Sequence, residues 1–191
     1  MKSTIHEFQK SKFNTMSKKV ILIIAFVFVS NTFFGQAAFD KFDGQDDVTS
    51  IIVNKKMFEL MSKVKMEASD KQAQQYLSLI KKLDNLKVFT TSSTRATAEM
   101  KAAAEKYTKT GGLEELMRIN DGGKNIKIMV KSGATDSQIK ELLMFIDGSK
   151  ANETVLMSLT GNFDLDELSV LTDKMKIPGG EDLKKATKGK K

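Results

Sequence analysis

Two apolar runs on either side of a polar turn stand out in the C-terminal half of the chain. Residues 142–146 (LLMFI) and 155–159 (VLMSL) flank a polar segment that contains Gly148. Short apolar runs separated by such a turn are typical of two buried strands joined as a hairpin. The first run is ambiguous, because Thr135 and Gln138 also match a helix capping box. We favour a strand over residues 139–147.

Upstream, the pattern predicts strands and helices in alternation. Residues 48–53 (VTSIIV) and 86–91 (LKVFTT) are rich in β-branched and aromatic residues, which favours strands. Asn54 can cap a helix. Apolar residues recur at helical spacing in two segments, Met57, Leu60, Met61 and Val64 in the first and Ala73, Tyr76, Leu77, Ile80 and Leu83 in the second. A third helix is predicted over residues 95–108, ending at Gly111-Gly112.

After Gly112 the period changes to that of strands. Residues 113–119 and 125–131 are joined by Asp121-Gly122-Gly123-Lys124, a sequence suited to a hairpin turn. A final amphipathic helix is predicted from Asp164, with four residues on its apolar face, namely Leu165, Leu168, Leu171 and Met175. The resulting order is β-α-α-β-α-β-β-β-β-α. It predicts an α+β fold, an antiparallel meander with the helices packed mainly on one face.

The strand over residues 139–147 is apolar on both sides, because Leu143 and Phe145 alternate with the other apolar residues of the run. If helices cover one face only, an apolar face is left open and becomes a candidate interface. The ligand or partner face predicted on this ground consists of Leu142, Met144, Ile146, Val155, Met157 and Leu159.

The N-terminus has the layout of a secretory signal peptide. A short basic segment (Met16-Ser17-Lys18-Lys19) precedes ten apolar residues (20–29, VILIIAFVFV) and a segment of small and aromatic residues up to Gly35. Ten apolar residues are too few to cross a bilayer, which requires about 20. Residues 1–35 are therefore expected to be a leader, in which 16–35 is the signal and 1–15 is an extension from an early start codon. A genuine start at Met1 is the alternative.

The remaining boundaries follow from composition and charge. Residues 36–47 are predicted as an acidic lead-in, 48–178 as one domain and 179–191 as a disordered Lys-rich tail. Residues 1–35 contribute +4 and the last eight residues +5 to the total of +7, which leaves about −2 for the body. No nucleic-acid binding by the body is expected. The tail is expected to be a solvated segment, with contact to an anionic membrane surface as the alternative.

The residue inventory limits the chemistry. The chain has no Cys, and its single His, His6, lies in the leader. Nucleophile systems that use His or Cys, and zinc, copper or haem sites built from them, are therefore not expected. Two-carboxylate hydrolysis stays possible in principle. We expect no enzymatic activity, no catalytic residues and no cofactor. Without Cys the exported protein would also have no disulfide and no lipid anchor at the cleavage site.

Three further patterns have a structural and a functional interpretation. Asn162, Asp164, Asp166 and Glu167 form a weak calcium candidate, and Asp40, Asp43, Asp46 and Asp47 a weaker one; helix capping and a solvated linker are favoured instead. The pairs Gly111-Gly112 and Gly122-Gly123 lack phosphate-loop spacing and are predicted as turns. Core filling is favoured over a binding face for the nine methionines after the leader, namely Met57, Met61, Met66, Met100, Met117, Met129, Met144, Met157 and Met175.

Three segments together resemble a family of exported Bacteroidetes proteins known as the domain of unknown function 4252. They read VTSIIVNKKMFELM near the start, INDGGKNIKIMVKS in the middle and ELLMFIDGSKANETVLMSLTGNFDLDELSVL near the end. The most specific part is 154–168, where an apolar strand ends in Thr160-Gly161 and a helix start with Asp-x-Asp follows. Many members look like lipoproteins, and this chain departs from them by lacking the Cys. The resemblance implies fold and export but no mechanism.

The expected function is that of a non-enzymatic cell-envelope protein, periplasmic or secreted and soluble, which binds a partner through an apolar sheet face. An envelope protein, a lipid or a second copy of the chain would be the partner. The alternatives are a carboxylate-based envelope hydrolase and a calcium-dependent adhesion protein.

Overall fold

The computed structural model describes residues 37–64, 70–121, 123–135, 137–148, 153–168 and 178–182. Three predicted segments lie outside these ranges: the leader (1–35), most of the last helix (169–175) and the end of the Lys-rich tail (183–191). From Phe39 onward the described residues belong to one unit.

Six antiparallel strands form a single sheet. In chain order they are β1 (Thr49–Asn54), β2 (Leu83–Thr91), β3 (Glu114–Asp121), β4 (Lys124–Ser132), β5 (Gln138–Asp147) and β6 (Thr154–Asp164). Their order across the sheet is β1-β2-β6-β5-β4-β3. The last four strands form the predicted meander, and β6 returns to lie beside β2. The α+β class and the strand over residues 139–147 are confirmed.

Three helices connect the first strands. They are α1 (Lys55–Met61), α2 (Lys71–Lys82) and α3 (Thr94–Gly111). Each begins at a side-chain cap: Asn54 accepts a hydrogen bond from the Met57 N–H, Asp70 from that of Ala73 and Ser93 from that of Ala96. Gly112 ends α3 with a φ of 66° in the left-handed region. The predicted cap at Asn54 is confirmed.

The first face of the sheet holds the main core. Phe58 from α1 and Leu77 and Ile80 from α2 pack in one cluster with alternate side chains of the strands. The strand residues in this cluster include Leu86, Val88, Ile126, Ile128, Val130, Leu142, Met144, Ile146, Val155, Met157 and Leu159. Helices α1 and α2 therefore lie on this face.

The second face is covered by α3 together with the 3₁₀ turn Asp40–Phe42. Thr97 of α3 hydrogen-bonds Thr154 of β6, and the Tyr107 hydroxyl donates to Glu141 of β5. Phe42 packs edge-to-face on Phe89 of β2. Two of the three described helices thus lie on the first face, in line with the prediction of helices mainly on one face, and α3 covers the second. Strand β5 is apolar on both sides because it is buried on both sides.

The inner face of α1 differs from the prediction. Phe58 is the fully buried residue of this helix, and Met61 is half-buried. Met57 and Leu60, which share helical spacing with Met61, are about half exposed, as is Val64, which lies three residues beyond the end of α1. The apolar surface of α1 is wider than the surface that the sheet buries, so part of it faces solvent.

The segment 178–182 lies against the first face, beyond the predicted domain end. A Cβ added at Gly179 would come within 2.6 Å of the Met144 methyl carbon and 2.8 Å of Ile146 Cδ1. The Lys124 ammonium is 2.6 Å from Asp182 Oδ2. The chain from Gly179 to Asp182 is therefore part of the folded domain rather than of a disordered tail.

Candidate functional site

The partner face predicted from the sequence lies in the core. Its six residues, Leu142, Met144, Ile146, Val155, Met157 and Leu159, are at most 3% exposed. They point to the first face, where α1, α2 and residues 178–182 pack. The structure therefore presents no open apolar face at these positions.

Exposed apolar side chains gather instead at β1 and α1. The large apolar residues that the described ranges leave exposed are Ile51, Ile52, Met57, Leu60 and Val64, and we call this set the β1–α1 surface. Strand β1 is at the edge of the sheet and pairs with β2 alone among the described strands. The backbone edge that faces away from β2 consequently has no described strand beside it.

The two isoleucines of β1 lie on opposite faces. Ile51 is opposite Val88, which belongs to the core of the first face, and Ile52 is opposite Lys87 on the second face. Ile51 is 40% exposed and Ile52 43% exposed. Because one isoleucine is exposed on each face of β1, neither helix layer fully covers this strand.

Hydrogen bonds and ion pairs hold β1 at both of its ends. The Ser50 hydroxyl donates to Asp43, and the Thr91 hydroxyl of β2 donates to the Asp47 carbonyl. At the other end the Lys55 ammonium is 2.8 Å from Asp84 Oδ1. The hydrogen bond with Asp84 raises the Lys55 pKa. The strand is therefore held in place while its outer edge stays open.

A buried polar pair is the second feature that the sequence analysis missed. Glu141 on β5 is 7% exposed, and its Oε2 accepts a hydrogen bond of 2.9 Å from the Tyr107 hydroxyl. Within the described part of the chain, Glu141 Oε1 and the hydroxyl of its register partner Thr160 have no hydrogen-bond partner. Glu141 lies on the same side of β5 as Leu143 and Phe145. An acidic residue on an otherwise apolar side of a strand is the sequence signal that could have identified it.

Burial raises the pKa of Glu141, against the opposing effects of the Tyr107 hydrogen bond and the Lys131 charge. Burial also raises the Tyr107 pKa. A carboxyl enclosed in this way favours its protonated form, because the charge would lose its hydration. The pair is closed to solvent, so it stabilises the contact between α3 and β5 rather than offering an open acid.

Glu141→Gln is expected to stabilise the protein above about pH 4.5, the ordinary pKa of glutamic acid. Because the folded-state pKa of Glu141 is raised, folding takes up a proton between the unfolded and folded values, and stability falls as pH rises through that window. Glutamine removes this loss. Urea unfolding at several pH values measures it: the gain should be present at pH 8 and vanish below pH 4. A constant difference at all pH values would contradict the account.

A small groove separates α3 from β4 and β5. Its walls are formed by Lys101, Ala104, Glu105, Lys127, Met129, Leu143 and Phe145, and it encloses about 280 Å³ including space open to solvent. Lys101 approaches Asp147 and Lys127 approaches Glu105, each at 3.9 Å, across its rim. The volume falls short of that of an ordinary small-molecule site.

The acidic cluster at the end of β6 forms a cap with a lysine beside it. Asp164 and Glu167 form a capping box around the 3₁₀ turn Leu165–Glu167, as predicted. The Lys82 ammonium donates to both Glu167 oxygens, at 2.7 and 2.9 Å. Asn162 is exposed, and Asp166 lies on the exposed side of the turn. In the described ranges no three acidic or His side chains come close enough to share a metal.

Calcium at about 10 mM, above the dissociation constants of extracellular calcium modules, is expected to leave the melting temperature unchanged. The Lys82 ammonium already occupies the position at Glu167 that a cation would take. A site with a dissociation constant near 1 mM would add about 1.4 kcal/mol of stability under these conditions. Differential scanning calorimetry with calcium and with EDTA measures this, and a calcium-dependent rise would contradict the assignment.

The methionines mostly fill the core, as favoured from the sequence. Met100, Met144 and Met157 are fully buried, whereas Met57 is half exposed on the β1–α1 surface. Met66 and Met175 lie outside the described residues. Gly123, with a φ of 89°, lies in the hairpin between β3 and β4, so this glycine and Gly112 have the turn roles predicted for them.

Comparison with known proteins gives a family without an assigned activity. No helix in the described residues is long and apolar enough to cross a membrane. No curated protein and no solved structure matches the chain. The family model described as "Domain of unknown function (DUF4252)" matches residues 42–171, which include all six strands up to the capped turn after β6. The chain therefore belongs to the DUF4252 family.

Proposed function

We propose that the protein is an exported, non-enzymatic interaction module of the cell envelope, which binds a polypeptide along the β1–α1 surface. The observation that carries the proposal is the open edge of β1, where Ile51 and Ile52 are exposed on opposite faces of one strand. An extended polypeptide that adds a strand to this edge would form hydrogen bonds with the outward N–H and C=O groups of β1 and would cover both isoleucines.

Edges of this kind are ordinarily protected. Natural sheets block their outer strands with charged side chains, proline, bulges or a covering helix. Strand β1 (TSIIVN) has no charged residue and no proline, and its pairing with β2 is regular from Thr49 to Asn54. The opposite edge, β3 (EELMRIND), carries Glu114, Glu115 and Arg118 and is offset by a bulge between Glu115 and Met117. The contrast between the two edges favours β1 as the binding edge.

Export and the absence of catalysis have separate support. The segment 16–35 has the charge and hydropathy pattern of a signal peptide. Residues 36–191 contain no His and no Cys, and the carboxyl with a raised pKa, Glu141, is enclosed under α3. An interaction role requires neither an open acid nor a metal, and it uses the surface that the fold leaves apolar.

Affinity capture from cells that produce the protein tests the proposal. Ile52→Lys places a charge on the open edge, and Gln75→Lys adds the same charge on the exposed side of α2 as a matched control. We expect the wild type and the control to recover the same polypeptide and Ile52→Lys to recover at least about tenfold less of it. Equal recovery by all three chains would contradict the proposal.

A further inference from the structure

We infer that the polypeptide bound by the β1–α1 surface is a second copy of this chain. The two β1 strands would pair antiparallel about a two-fold axis at Ile52 and join two sheets into one continuous sheet. This inference rests on the proposed function and names its partner. Closed two-fold pairing is the commonest symmetry of protein oligomers, and it uses the same surface on both copies.

The residue pattern of β1 matches itself at this axis. A two-fold axis perpendicular to the sheet keeps every side chain on its own face, so residues of the same face meet across the seam. With the axis at Ile52, that residue meets its own copy. Ile51 meets Val53 of the second copy, and Ser50 meets Asn54. Apolar residues thus meet apolar residues and polar residues meet polar ones at every position.

The neighbouring register fits less well. An axis at Ile51 would place Ile52 opposite Ser50 and Val53 opposite Thr49, and each of these pairs sets an apolar side chain beside a polar one. A slip of one strand by a single residue would place side chains of opposite faces beside each other. A two-fold axis perpendicular to the sheet excludes that arrangement. The side chains therefore favour the axis at Ile52.

The charges around β1 favour the antiparallel direction. Asp43, Asp46 and Asp47 precede the strand, and Lys55 and Lys56 follow it. In an antiparallel pair the aspartates of each copy lie beside Lys55 and Lys56 of the other. Lys55 already pairs with Asp84 and Lys56 with Glu59 inside one copy, so this attraction sets the strand direction and adds little affinity. A parallel pair would instead bring acid beside acid and lysine beside lysine.

A lipid surface fits the same side chains less completely. Met57, Leu60 and the nearby lysines would suit an anionic bilayer, but α1 has only seven residues. Lipid tails also offer no hydrogen-bond partners for the open edge of β1. A second β1 strand supplies these partners and covers the isoleucines on both faces.

Single introduced thiols test the register, since the chain has no Cys of its own. Directly opposed residues of antiparallel strands have Cα atoms about 4.5–5.5 Å apart, within the range of a disulfide. Ile52→Cys should therefore give mostly disulfide-linked dimer under mild oxidation. The controls are Gln75→Cys on α2 and Asn120→Cys on the other edge strand. Equal dimer yield from Ile52→Cys and Gln75→Cys, or a higher yield from Asn120→Cys, would overturn the inference.

Sedimentation of the purified chain gives an independent readout. The wild type should sediment as a dimer. Ile52→Lys, which sets two ammonium groups opposite each other, should raise the dissociation constant on the order of 100-fold, while Gln75→Lys leaves it unchanged. Circular dichroism is the control measurement that checks whether each variant is folded. A wild type that stays monomeric up to its solubility limit would overturn the inference, as would binding of the monomer to phosphatidylglycerol vesicles through Ile52.

The failures of the two proposals are distinguishable. If the purified chain is monomeric but affinity capture recovers a different polypeptide in an Ile52-dependent way, the second copy is overturned and the interaction module stands. If capture and self-association are both insensitive to Ile52→Lys, both proposals fail.

Discussion

Leu142→Ala is expected to lower the free energy of unfolding by about 2–5 kcal/mol, the range found for large-to-small changes in well-packed cores. Leu142 is 0% exposed and lies on central strand β5 between β4 and β6. Removing three carbons there leaves a cavity that the neighbouring strands cannot close, because each is fixed in its register. Urea unfolding measures the loss.

The matched control is the same substitution at a surface position. Leu60 is 51% exposed on α1, so Leu60→Ala should cost less than about 1 kcal/mol. If the two substitutions destabilised the protein equally, Leu142 would not belong to the core, and the assignment of the β5–β6 face to the interior would be wrong.

Gly161→Ala is expected to destabilise the protein by about 3 kcal/mol, because the new methyl group would meet backbone rather than a movable side chain. Gly161 lies on β6 opposite Leu83, where α2 ends and β2 begins. An added Cβ would clash with the Lys82 carbonyl oxygen and lie 2.9 Å from the Leu83 Cα atom. To accept it, β6 and the start of β2 would have to separate.

Gly111→Ala serves as the comparison for this clash. A Cβ at Gly111 would also have a close neighbour, at 2.7 Å, but that neighbour is Cδ1 at the end of the Leu113 side chain, which can turn away. We expect its cost to be less than about 1 kcal/mol. Thermal unfolding of both variants measures the difference. If Gly161→Ala melted at the wild-type temperature, the close approach of β6 to the α2–β2 junction would be contradicted.

Much of the fold could be predicted from the sequence because local patterns specify it. Alternation in β4, the turn at Gly123 and the cap at Asn54 are short-range signals, and each has its predicted role. The four-strand meander follows from short connections between consecutive strands. The position of α3 could not be predicted. The long crossover from β2 to the far edge at β3 could pass over either face of the sheet, and the sequence pattern would be the same in both cases.

The candidate site could not be predicted for a related reason. Which strand lies at the edge depends on the sheet order, and β6 takes the place beside β2 that leaves β1 with one neighbour among the strands that the structure describes. The pattern of Ile51 and Ile52 is equally suited to a strand buried on both sides. The apolar residues of β5 predicted an open face because they lie on both sides of the strand. Since α3 covers the second face, these residues belong to the core.

Photo-cross-linking in the producing cell tests most directly whether the outer edge of β1 is the binding edge. A benzoylphenylalanine in place of Ile52 reports on polypeptides at that edge, and the same group in place of Gln75 reports on the exposed side of α2. We predict a discrete cross-linked product at position 52, of the mass of two copies of the chain, and none at position 75. Equal cross-linking at both positions, or none at position 52, would contradict the account.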